Sequence, residues 1–466
     1  MNVYIGSQIE IYQPTHTLKA WAKENLTLAN PEYMKKLRMG KWLGNTPEYI
    51  SLYEENGDNL ILPFGCIGYI MPFMRPKDFV IGTFRKATKV DYNAKIPLFD
   101  YQTEAVDVLE KAHYGILQAP AGSGKTRCGI ALTARLGLRT LWLTHTSDLL
   151  NQSMESAKEF IDPHLLGTIT EGKVRIGKGI TFATVQTMCK VDLEKYRNTW
   201  DVIIVDECHR VAGTPTSVTM FSKVLNSLCA RHKYGLSATV HRADGLVKST
   251  YALLGEIRHI VPDEAVVGRI MHVSIKTLCT HLPVSDDCLD TDGTILYNNL
   301  INYITQDDER NRLIVKQLVE NADHYNLILS DRVAHLERLM SLLPPEQRKL
   351  AVKIDGKMTT KKAKGDRRDA LEQMRQGEKR YLFATYQLAK EGLDIPCLDR
   401  LHMVTPVKDY AVVAQSVGRI ARVAPNKDTP VVYDYVDEEF GYLRKVYKKR
   451  CTTYRKLECK FIQEES

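Results

Sequence analysis

The chain has 466 residues and a mass of 53.0 kDa, which is too long for one compact core and suits about three domains. Hydrophobic residues make up 44% of it and charged residues 26%, which excludes disordered, collagen-like and coiled-coil proteins. The formal net charge of +8 indicates a charged partner only if the positive residues are gathered on one surface.

The chain carries no signal for secretion or membrane insertion. Its start, MNVYIGSQIEIYQP, lacks the basic and apolar segments of a signal peptide, and no run approaches the roughly 18 apolar residues of a membrane span. The ten cysteines include no pair at the spacing of a zinc knuckle or redox site, which favours reduced thiols. We therefore expect a cytoplasmic protein that is neither secreted nor membrane-bound.

Residues 1–95 are rich in aromatic side chains and mix helix and strand signals. They hold 13 of the 38 aromatic residues. Asn30 and Pro31 predict the capped start of a short basic helix, and Asn56-Gly57 predicts a hairpin turn. We expect a small accessory α+β domain whose aromatic residues either fill its core or stack on unpaired bases.

From Tyr114 onward, short aliphatic runs alternate with helical stretches. The first series is YGILQA, RTLWLT, GITFAT, DVIIVDE and KYGLSAT, and the second is NLILS, RYLFAT, RLHMVTP and PVVYDYV. Runs that are apolar on both faces predict parallel strands covered by helices on both sides. The fold class is therefore α/β, with two tandem doubly wound parallel-sheet lobes that meet near residues 255–270.

A glycine-rich loop follows the first predicted strand and leads into a helical stretch. It reads APAGSGKT from Ala119, where the P-loop pattern has a glycine in the first position. Lys125 would reach the β and γ phosphates of a nucleotide, and the Thr126 hydroxyl would bind Mg²⁺. The glycines let the loop curl so that phosphates are cradled by Ala121, Gly122, Ser123 and Gly124.

Two acids follow the predicted strand DVIIV, at the edge where open α/β sheets place their ligands. Asp206 would hold Mg²⁺ through water, and Glu207 would orient and deprotonate the attacking water. Such a pair could instead stabilise a helix N-terminus. Because a P-loop precedes it in the chain, we favour an ATP-hydrolysing site.

The segment Asp206-Glu207-Cys208-His209 resembles the DExH box of the superfamily 2 helicases and nucleic-acid translocases, and further motifs follow in order. Ser237-Ala238-Thr239 resembles the motif that couples ATP state to the nucleic-acid grip, a role that the resemblance extends to His209. Ala384-Thr385 with EGLDIP resembles the fifth motif, and QSVGRIAR resembles the sixth. Together these motifs span residues 99–425.

The finer resemblance is to the compact DNA-repair and phage helicases of the xeroderma-pigmentosum-B-like, UvsW-like group. Tyr101-Gln102 resembles the adenine-reading glutamine of that group, whereas Ala243 stands where relatives carry a glutamate. The resemblance implies RecA-like lobes, ATP and Mg²⁺, and single-stranded, forked or branched DNA as the partner. It also implies the cytoplasm of a bacterium or of a phage-infected host.

The resemblance implies further site residues. It adds Gly392 and Asp394 to the nucleotide-binding set. Gln415 would position water, Arg422 would be an arginine finger and Arg419 its phosphate partner, the two arginines lying three apart on one face of a predicted helix. Backbone contacts to the nucleic acid would come from polar groups that could also cap helices, namely Thr144, His145, Gln186, Thr187, Ser330, Arg332, Gly356 and Thr385.

Positive charge is concentrated in two C-terminal segments. Residues 341–380 carry a net +6 and residues 441–460 a net +7, which indicates either solvated faces or a track for phosphates. The expected domains are a candidate DNA-binding accessory domain, a first helicase lobe, a second lobe and a basic helical tail, at residues 1–95, 96–262, 263–440 and 441–466.

These features predict an ATP-dependent DNA helicase or translocase. It would hydrolyse ATP between two lobes to move along DNA and unwind or branch-migrate it in repair, recombination or replication. An RNA helicase and a DNA translocase that does not separate strands remain as alternatives. A nucleotide-gated binding module is disfavoured, because Glu207 and both arginines are present.

Overall fold

The structure is a computed structural model in which the chain forms two compact units, Met1–Ala265 and Val266–Ser466. No helix in the described part of the chain is long and apolar enough to cross a membrane. The structure describes residues 1–462 apart from 82, 83, 85, 121, 171, 213, 239–245, 267–270, 291, 355–360, 391, 392 and 394.

The first unit begins with a strand-rich region over residues 1–95, in which the sheet order is β5-β6-β2-β1-β7 and β3 pairs with β4. The predicted basic helix is confirmed as α2, since the Asn30 side chain caps its first turn. The predicted hairpin joins β5 to β6. The strands are β1 (Asn2–Ile5), β2 (Gln8–Tyr12), β3 (Thr27–Ala29), β4 (Tyr49–Ser51), β5 (Glu54–Asn56), β6 (Asn59–Pro63) and β7 (Phe79–Ile81). The helices are α1 (His16–Leu26), α2 (Pro31–Arg38) and α3 (Ile67–Ile70).

The rest of the first unit is a doubly wound sheet with the order β11-β10-β12-β9-β13-β14-β8-β15. All neighbouring strands in it are parallel except β10 and β11. The strands are β8 (Tyr114–Gln118), β9 (Thr140–Thr144), β10 (Leu166–Thr170), β11 (Lys173–Arg175), β12 (Ile180–Thr184), β13 (Val202–Asp206), β14 (His232–Ser237) and β15 (Ile257–Ile260). The helices are α4 (Asp100–Ala112), α5 (Lys125–Leu136), α6 (Ser147–Lys158), α7 (Val185–Met188), α8 (Pro215–Ser227) and α9 (Val247–Leu254).

The strand-rich region shares a hydrophobic core with the doubly wound sheet that follows it. Val3 and Leu60 of the strand-rich region belong to the same buried cluster as Val218 and Ala252. Lys233 of β14 is fully buried, and its ammonium donates to the carbonyls of Ser7 and Leu225 at 2.8 and 2.7 Å and lies over the ring of Phe64. Burial lowers the pKa of Lys233 to about 7.

The second unit is a parallel sheet with the order β18-β19-β17-β20-β21-β16-β22. The strands are β16 (Ser274–Thr280), β17 (Asn326–Ser330), β18 (Ala351–Ile354), β19 (Tyr381–Thr385), β20 (Arg400–Met403), β21 (Val431–Asp437) and β22 (Lys460–Phe461). The helices are α10 (Tyr297–Gln306), α11 (Asp308–Glu320), α12 (Val333–Leu342), α13 (Pro345–Lys349), α14 (Lys361–Arg375), α15 (Tyr386–Lys390), α16 (Tyr410–Ile420) and α17 (Gly441–Lys456).

All nine predicted strands are confirmed, and so is the fold class of two doubly wound parallel-sheet lobes after a strand-rich region. The expected helix through both arginines of the sixth motif is wrong at its end. Helix α16 ends at Ile420 with Ala421 as its C-cap, so Arg422 lies beyond it. The basic C-terminal stretch forms α17 as predicted, but it buries Leu443, Val446 and Tyr454 and therefore packs into the second unit.

Candidate ATP-hydrolysis site

The glycine-rich loop connects β8 to the N-terminus of α5. Gly122 and Gly124 have φ angles of 83° and 78°, in the left-handed region that favours glycine. Helix α5 begins at Lys125, so Lys125 and Thr126 occupy a first turn whose unpaired N–H groups and dipole favour anions. Ala121 lies outside the described residues. The loop thus has the backbone of a phosphate cradle.

Two neighbouring side chains form hydrogen bonds with this loop. The Gln102 side-chain amide donates to the Ser123 carbonyl at 2.8 Å and accepts the N–H of Phe99 at 3.0 Å, and the Tyr101 hydroxyl donates to the same Ser123 carbonyl at 3.0 Å. A Cβ atom on Gly124 would lie 2.5 Å from the Gln102 amide nitrogen. Gln102, expected to read adenine, therefore packs directly against the phosphate loop.

The Ser123 hydroxyl indicates whether the loop suits a nucleotide. Its oxygen is buried and has no hydrogen-bond partner among the described residues. A buried polar group without a partner costs free energy unless a ligand supplies one. An oxygen-rich anion would do so, and Lys125 beside the loop supplies the opposite charge. The residues present fit a polyphosphate.

Asp206 is the last residue of β13 and is buried. Its carboxylate accepts hydrogen bonds from the Ser153 hydroxyl at 2.9 Å and from the Glu207 N–H at 3.0 Å. Burial and the charge of Glu207 raise the pKa of Asp206 to about 6, while Ser153 and the nearby Lys125 oppose that rise. Strands β13 and β8 both pair in parallel with β14, so Asp206 at the end of β13 and the phosphate loop after β8 lie at the same edge of the sheet.

Thr126 and Asp206 offer a hydroxyl and a carboxylate, the oxygen ligands that Mg²⁺ prefers in proteins. Burial and the charge of Glu207 raise the pKa of Asp206, and a divalent cation bound to the carboxylate would oppose that rise. The residues present therefore fit Mg²⁺ at this position.

Glu207 connects the acid pair to the next motif. Its backbone has a φ of 49°, a left-handed conformation that few residues with a Cβ adopt. The His209 ring nitrogen Nδ1 lies 3.1 Å from the Glu207 carboxylate and 3.0 Å from the Ser237 hydroxyl. The predicted coupling residues His209 and Ser237 therefore meet beside the predicted base. Ala238 follows Ser237, and Thr239 with residues 242–245 lies outside the described residues.

The predicted nucleic-acid contacts of the first unit divide into two kinds. His145 and Gln186 meet, with 3.4 Å between their side-chain nitrogens, and burial with nearby Arg210 lowers the pKa of His145. The two threonines make local bonds instead. The Thr144 hydroxyl donates to the Thr146 carbonyl at 3.0 Å, and the Thr187 hydroxyl lies 2.9 Å from that of Thr184.

In the second unit, Ser330 and Thr385 are register neighbours at the ends of β17 and β19. The Ser330 hydroxyl is buried, lies 3.2 Å from His335 Nδ1 and accepts the Arg332 N–H. The Arg332 guanidinium donates to Asn298 at 2.9 Å on the exposed surface. Gly356 lies outside the described residues.

Gln415 and Arg419 lie four residues apart on α16 and so share a face. The Arg419 guanidinium donates to the carbonyl of Leu393 at 3.0 Å, which ties the sixth motif to the fifth. Burial lowers the pKa of Arg422, and its carbonyl accepts from the ammonium of Lys427 at 2.7 Å. Gly392 and Asp394 lie outside the described residues.

Ser153, in α6, is a site residue that sequence reasoning missed. It lies 53 residues before the acid that it contacts. A serine in the middle of a helix carries no local signal for such a contact.

Comparison with protein families gives one match in each unit. Residues 95–242 match the type III restriction enzyme res subunit, and residues 309–424 match the helicase conserved C-terminal domain. The first match contains the phosphate loop and the acid pair, and the second contains Gln415, Arg419 and Arg422.

Among the relatives, a putative ATP-dependent RNA helicase of Acanthamoeba polyphaga mimivirus is 26% identical over 75% of this chain, which spans 65% of that protein. The DNA 3′-5′ translocase XPB2 of Sulfurisphaera tokodaii is 25% identical over 72% of this chain and 80% of its own length. The ATP-dependent DNA helicase uvsW of phage T4 is 23% identical over 86% of this chain and 83% of its own length.

The fold also matches that of a solved structure. Dbp5 of S. cerevisiae bound to RNA and ADP BeF3 superposes with a TM-score of 0.56 at 14% identity, over 79% of this chain and 94% of that one. At this identity the likeness shows the fold alone.

Proposed function

Because this chain carries the two domains of a superfamily 2 helicase and resembles XPB and UvsW, we propose that it is a DNA-dependent ATPase that moves along DNA and unwinds or branch-migrates it. The observation that carries the proposal is the site at the edge of the first sheet. There a phosphate loop with an unsatisfied Ser123 hydroxyl shares the edge of the sheet with the acids Asp206 and Glu207. Repair, recombination or replication of DNA would use such a motor.

Phosphoryl transfer to water is catalysed mainly by positioning and by neutralising charge. The N–H groups of the loop and Lys125 would hold the phosphates, and Glu207 would orient the attacking water and accept its proton. Mg²⁺ held by Thr126 and Asp206 would supply positive charge at the β and γ phosphates. Arg422 would stabilise the charge that develops on the γ phosphate.

Arg419 and Gln415 would assist Arg422. The bond from Arg419 to the Leu393 carbonyl holds its guanidinium in one orientation, which suits a group that contacts a phosphate. Gln415, on the same face of α16, would position water. Gly392 and Asp394 of the fifth motif would complete the nucleotide contacts.

The contacts that link Glu207, His209 and Ser237 would couple ATP hydrolysis to binding of the DNA strand. Loss of the γ phosphate would change the contacts of Glu207. Because His209 contacts both Glu207 and Ser237, its position relative to β14 would then change as well. His145, Gln186, Arg332 and Thr385 would hold the DNA backbone by their side chains. The hydroxyls of Thr144, Thr187 and Ser330 are engaged locally, and the Thr187 N–H donates to the Thr184 hydroxyl at 3.3 Å, so these residues would contact the DNA backbone only by exchanging such local bonds.

The experiment compares ATP hydrolysis in the presence of single-stranded, forked and four-way DNA and of RNA with the same sequence. We expect stimulation by DNA and displacement of a strand from the fork. Lys125→Ala and Glu207→Gln should each lower turnover by at least about 10²-fold with the circular-dichroism spectrum unchanged.

The alternatives give different results in the same experiment. The RNA helicase is a real candidate because one relative is named as such. Stimulation by RNA alone would refute the DNA proposal. DNA-stimulated hydrolysis without strand displacement or branch migration would instead identify a translocase that does not separate strands.

A further inference from the structure

A projecting arm, residues 31–48, leaves the strand-rich region between β3 and β4. Its two ends are held together at Asn30, whose N–H donates to the Glu48 carbonyl at 2.9 Å and whose side-chain amide donates to the Pro47 carbonyl at 2.7 Å. Strands β3 and β4 continue that closure by pairing antiparallel. The arm therefore has a fixed base.

The arm itself is folded. Helix α2 ends in a Schellman motif at Gly40, whose φ is 57°: the Gly40 N–H donates to the Leu37 carbonyl at 3.1 Å, and the Lys41 N–H donates to the Lys36 carbonyl at 2.9 Å. The Lys36 ammonium then donates to the Thr46 hydroxyl at 2.6 Å and ties the following loop back to the helix.

Trp42 lies in the loop that follows α2 and is 88% exposed. Its ring rests on the backbone of Gly44, where a Cβ atom would come within 3.0 Å of a ring carbon and where φ is 53°. Such exposure leaves the opposite face of the ring open to solvent. Helix α2 buries no residue, and the arm also exposes the apolar side chains of Met34, Leu37 and Met39.

The arm also carries exposed positive charges. Lys35, Arg38 and Lys41 are exposed, and no carboxylate among the described residues lies within ion-pair distance of them. Glu32 is engaged by Lys36 at 3.2 Å. Three uncompensated cations and an exposed aromatic ring therefore belong to the same short arm.

We propose that this arm binds unpaired bases of DNA, with Trp42 stacking on a base and Lys35, Arg38 and Lys41 contacting the flanking phosphates. This inference rests on the proposed function and adds a binding site to it. Uncompensated cations favour an anionic partner, and a single strand of DNA presents both π faces that can stack on an exposed ring and phosphates that can bind the cations.

The test measures the anisotropy of labelled DNA without nucleotide. Trp42→Ala should weaken binding to a fork with a single-stranded arm by roughly 10-fold, the loss of one stacked base, and Trp42→Phe should restore most of it. A blunt duplex should bind both variants like the parent protein. Tyr12→Ala, which removes an exposed aromatic side chain outside the arm, is the matched control and should bind the fork normally.

Fluorescence gives a second readout. Trp142 and Trp200 are buried and Trp21 packs against Tyr69 and Phe73, so Trp42 is the tryptophan that single-stranded DNA can reach within the described residues. Addition of oligo(dT) should quench its emission, and the quenching should vanish in Trp42→Ala.

Three outcomes would overturn the inference. Trp42→Ala could bind the fork as tightly as the parent protein, or it could lose affinity equally for blunt duplex. It could also keep its affinity for DNA and lose self-association in sedimentation, which would make the arm a protein contact. The proposed function fails separately, if DNA does not stimulate hydrolysis by the parent protein.

Discussion

Arg422, the proposed arginine finger, should be essential to hydrolysis without being essential to ATP binding. It lies just beyond α16, and burial lowers the pKa of its guanidinium. A finger arginine acts on charge that develops only in the transition state, so Arg422→Ala should lower kcat by about 10³-fold and change KM for ATP by less than about threefold. Steady-state hydrolysis with a nucleotide-binding assay measures both.

Two further variants sharpen this prediction. Arg422→Lys should not restore turnover, because an ammonium lacks the planar fork of a guanidinium. Arg444→Ala removes an exposed arginine of α17 and should behave like the parent protein. Equal losses in kcat and in ATP affinity for Arg422→Ala would assign the residue to ground-state binding instead.

At the residue scale the sequence predicted where the candidate site residues lie better than it predicted which side chains they contact. The loop and the acid pair follow buried strands, so their position at the sheet edge could be inferred from the pattern. The contacts of Gln102 with Ser123 and of Ser153 with Asp206 join distant parts of the chain. No local pattern encodes such contacts, because tertiary packing decides them.

At the scale of elements, α17 shows how composition can mislead. Residues 441–460 carry a net +7, yet Arg450 of this segment is buried and donates twice to Asp434 of β21, at 2.8 Å each. Tyr454 donates to the same carboxylate at 2.7 Å. The helix is thus an anchored part of the second unit, and only its exposed face is available for phosphates.

Breaking this anchor should destabilise the second unit. Arg450→Met leaves Asp434 charged and buried without its cation, which should lower the free energy of unfolding by about 3 to 5 kcal/mol. Lys449→Met removes an exposed charge from the same helix and should change it by less than about 0.5 kcal/mol. Guanidinium denaturation measures both, and equal stability of the two variants would contradict the anchoring role.

The elements that the sequence did not predict share a physical reason. The nine predicted strands are continuous aliphatic runs. Each of them has a neighbouring strand on both sides in its sheet. Strand β10 contains glycine and threonines and β11 is exposed, so neither shows such a run. The sequence did not predict that α16 ends before Arg422, because residues 420–422 contain neither a glycine nor a proline.

At the largest scale, the shared core implies that the strand-rich region and the first lobe fold as one cooperative body. Gly65 lies where they meet, and a Cβ atom there would be 2.3 Å from the N atom of Gly255 and 2.4 Å from the carbonyl of Tyr251. Lys233 of β14 would lose its Ser7 carbonyl if the two parts moved away from each other. Each contact joins the region before residue 95 to the lobe that holds the phosphate loop.

Gly65→Ala should therefore destabilise both parts together, by about 3 kcal/mol or more, because the clash is with backbone atoms that cannot rotate away. Hydrogen exchange should quicken in β1 and β2 and also in α9 and β14. Gly6→Ala is the matched control, since its Cβ would meet the nearest atom at 3.9 Å. Faster exchange confined to β1 and β2 would mean instead that the strand-rich region folds separately and only rests on the lobe.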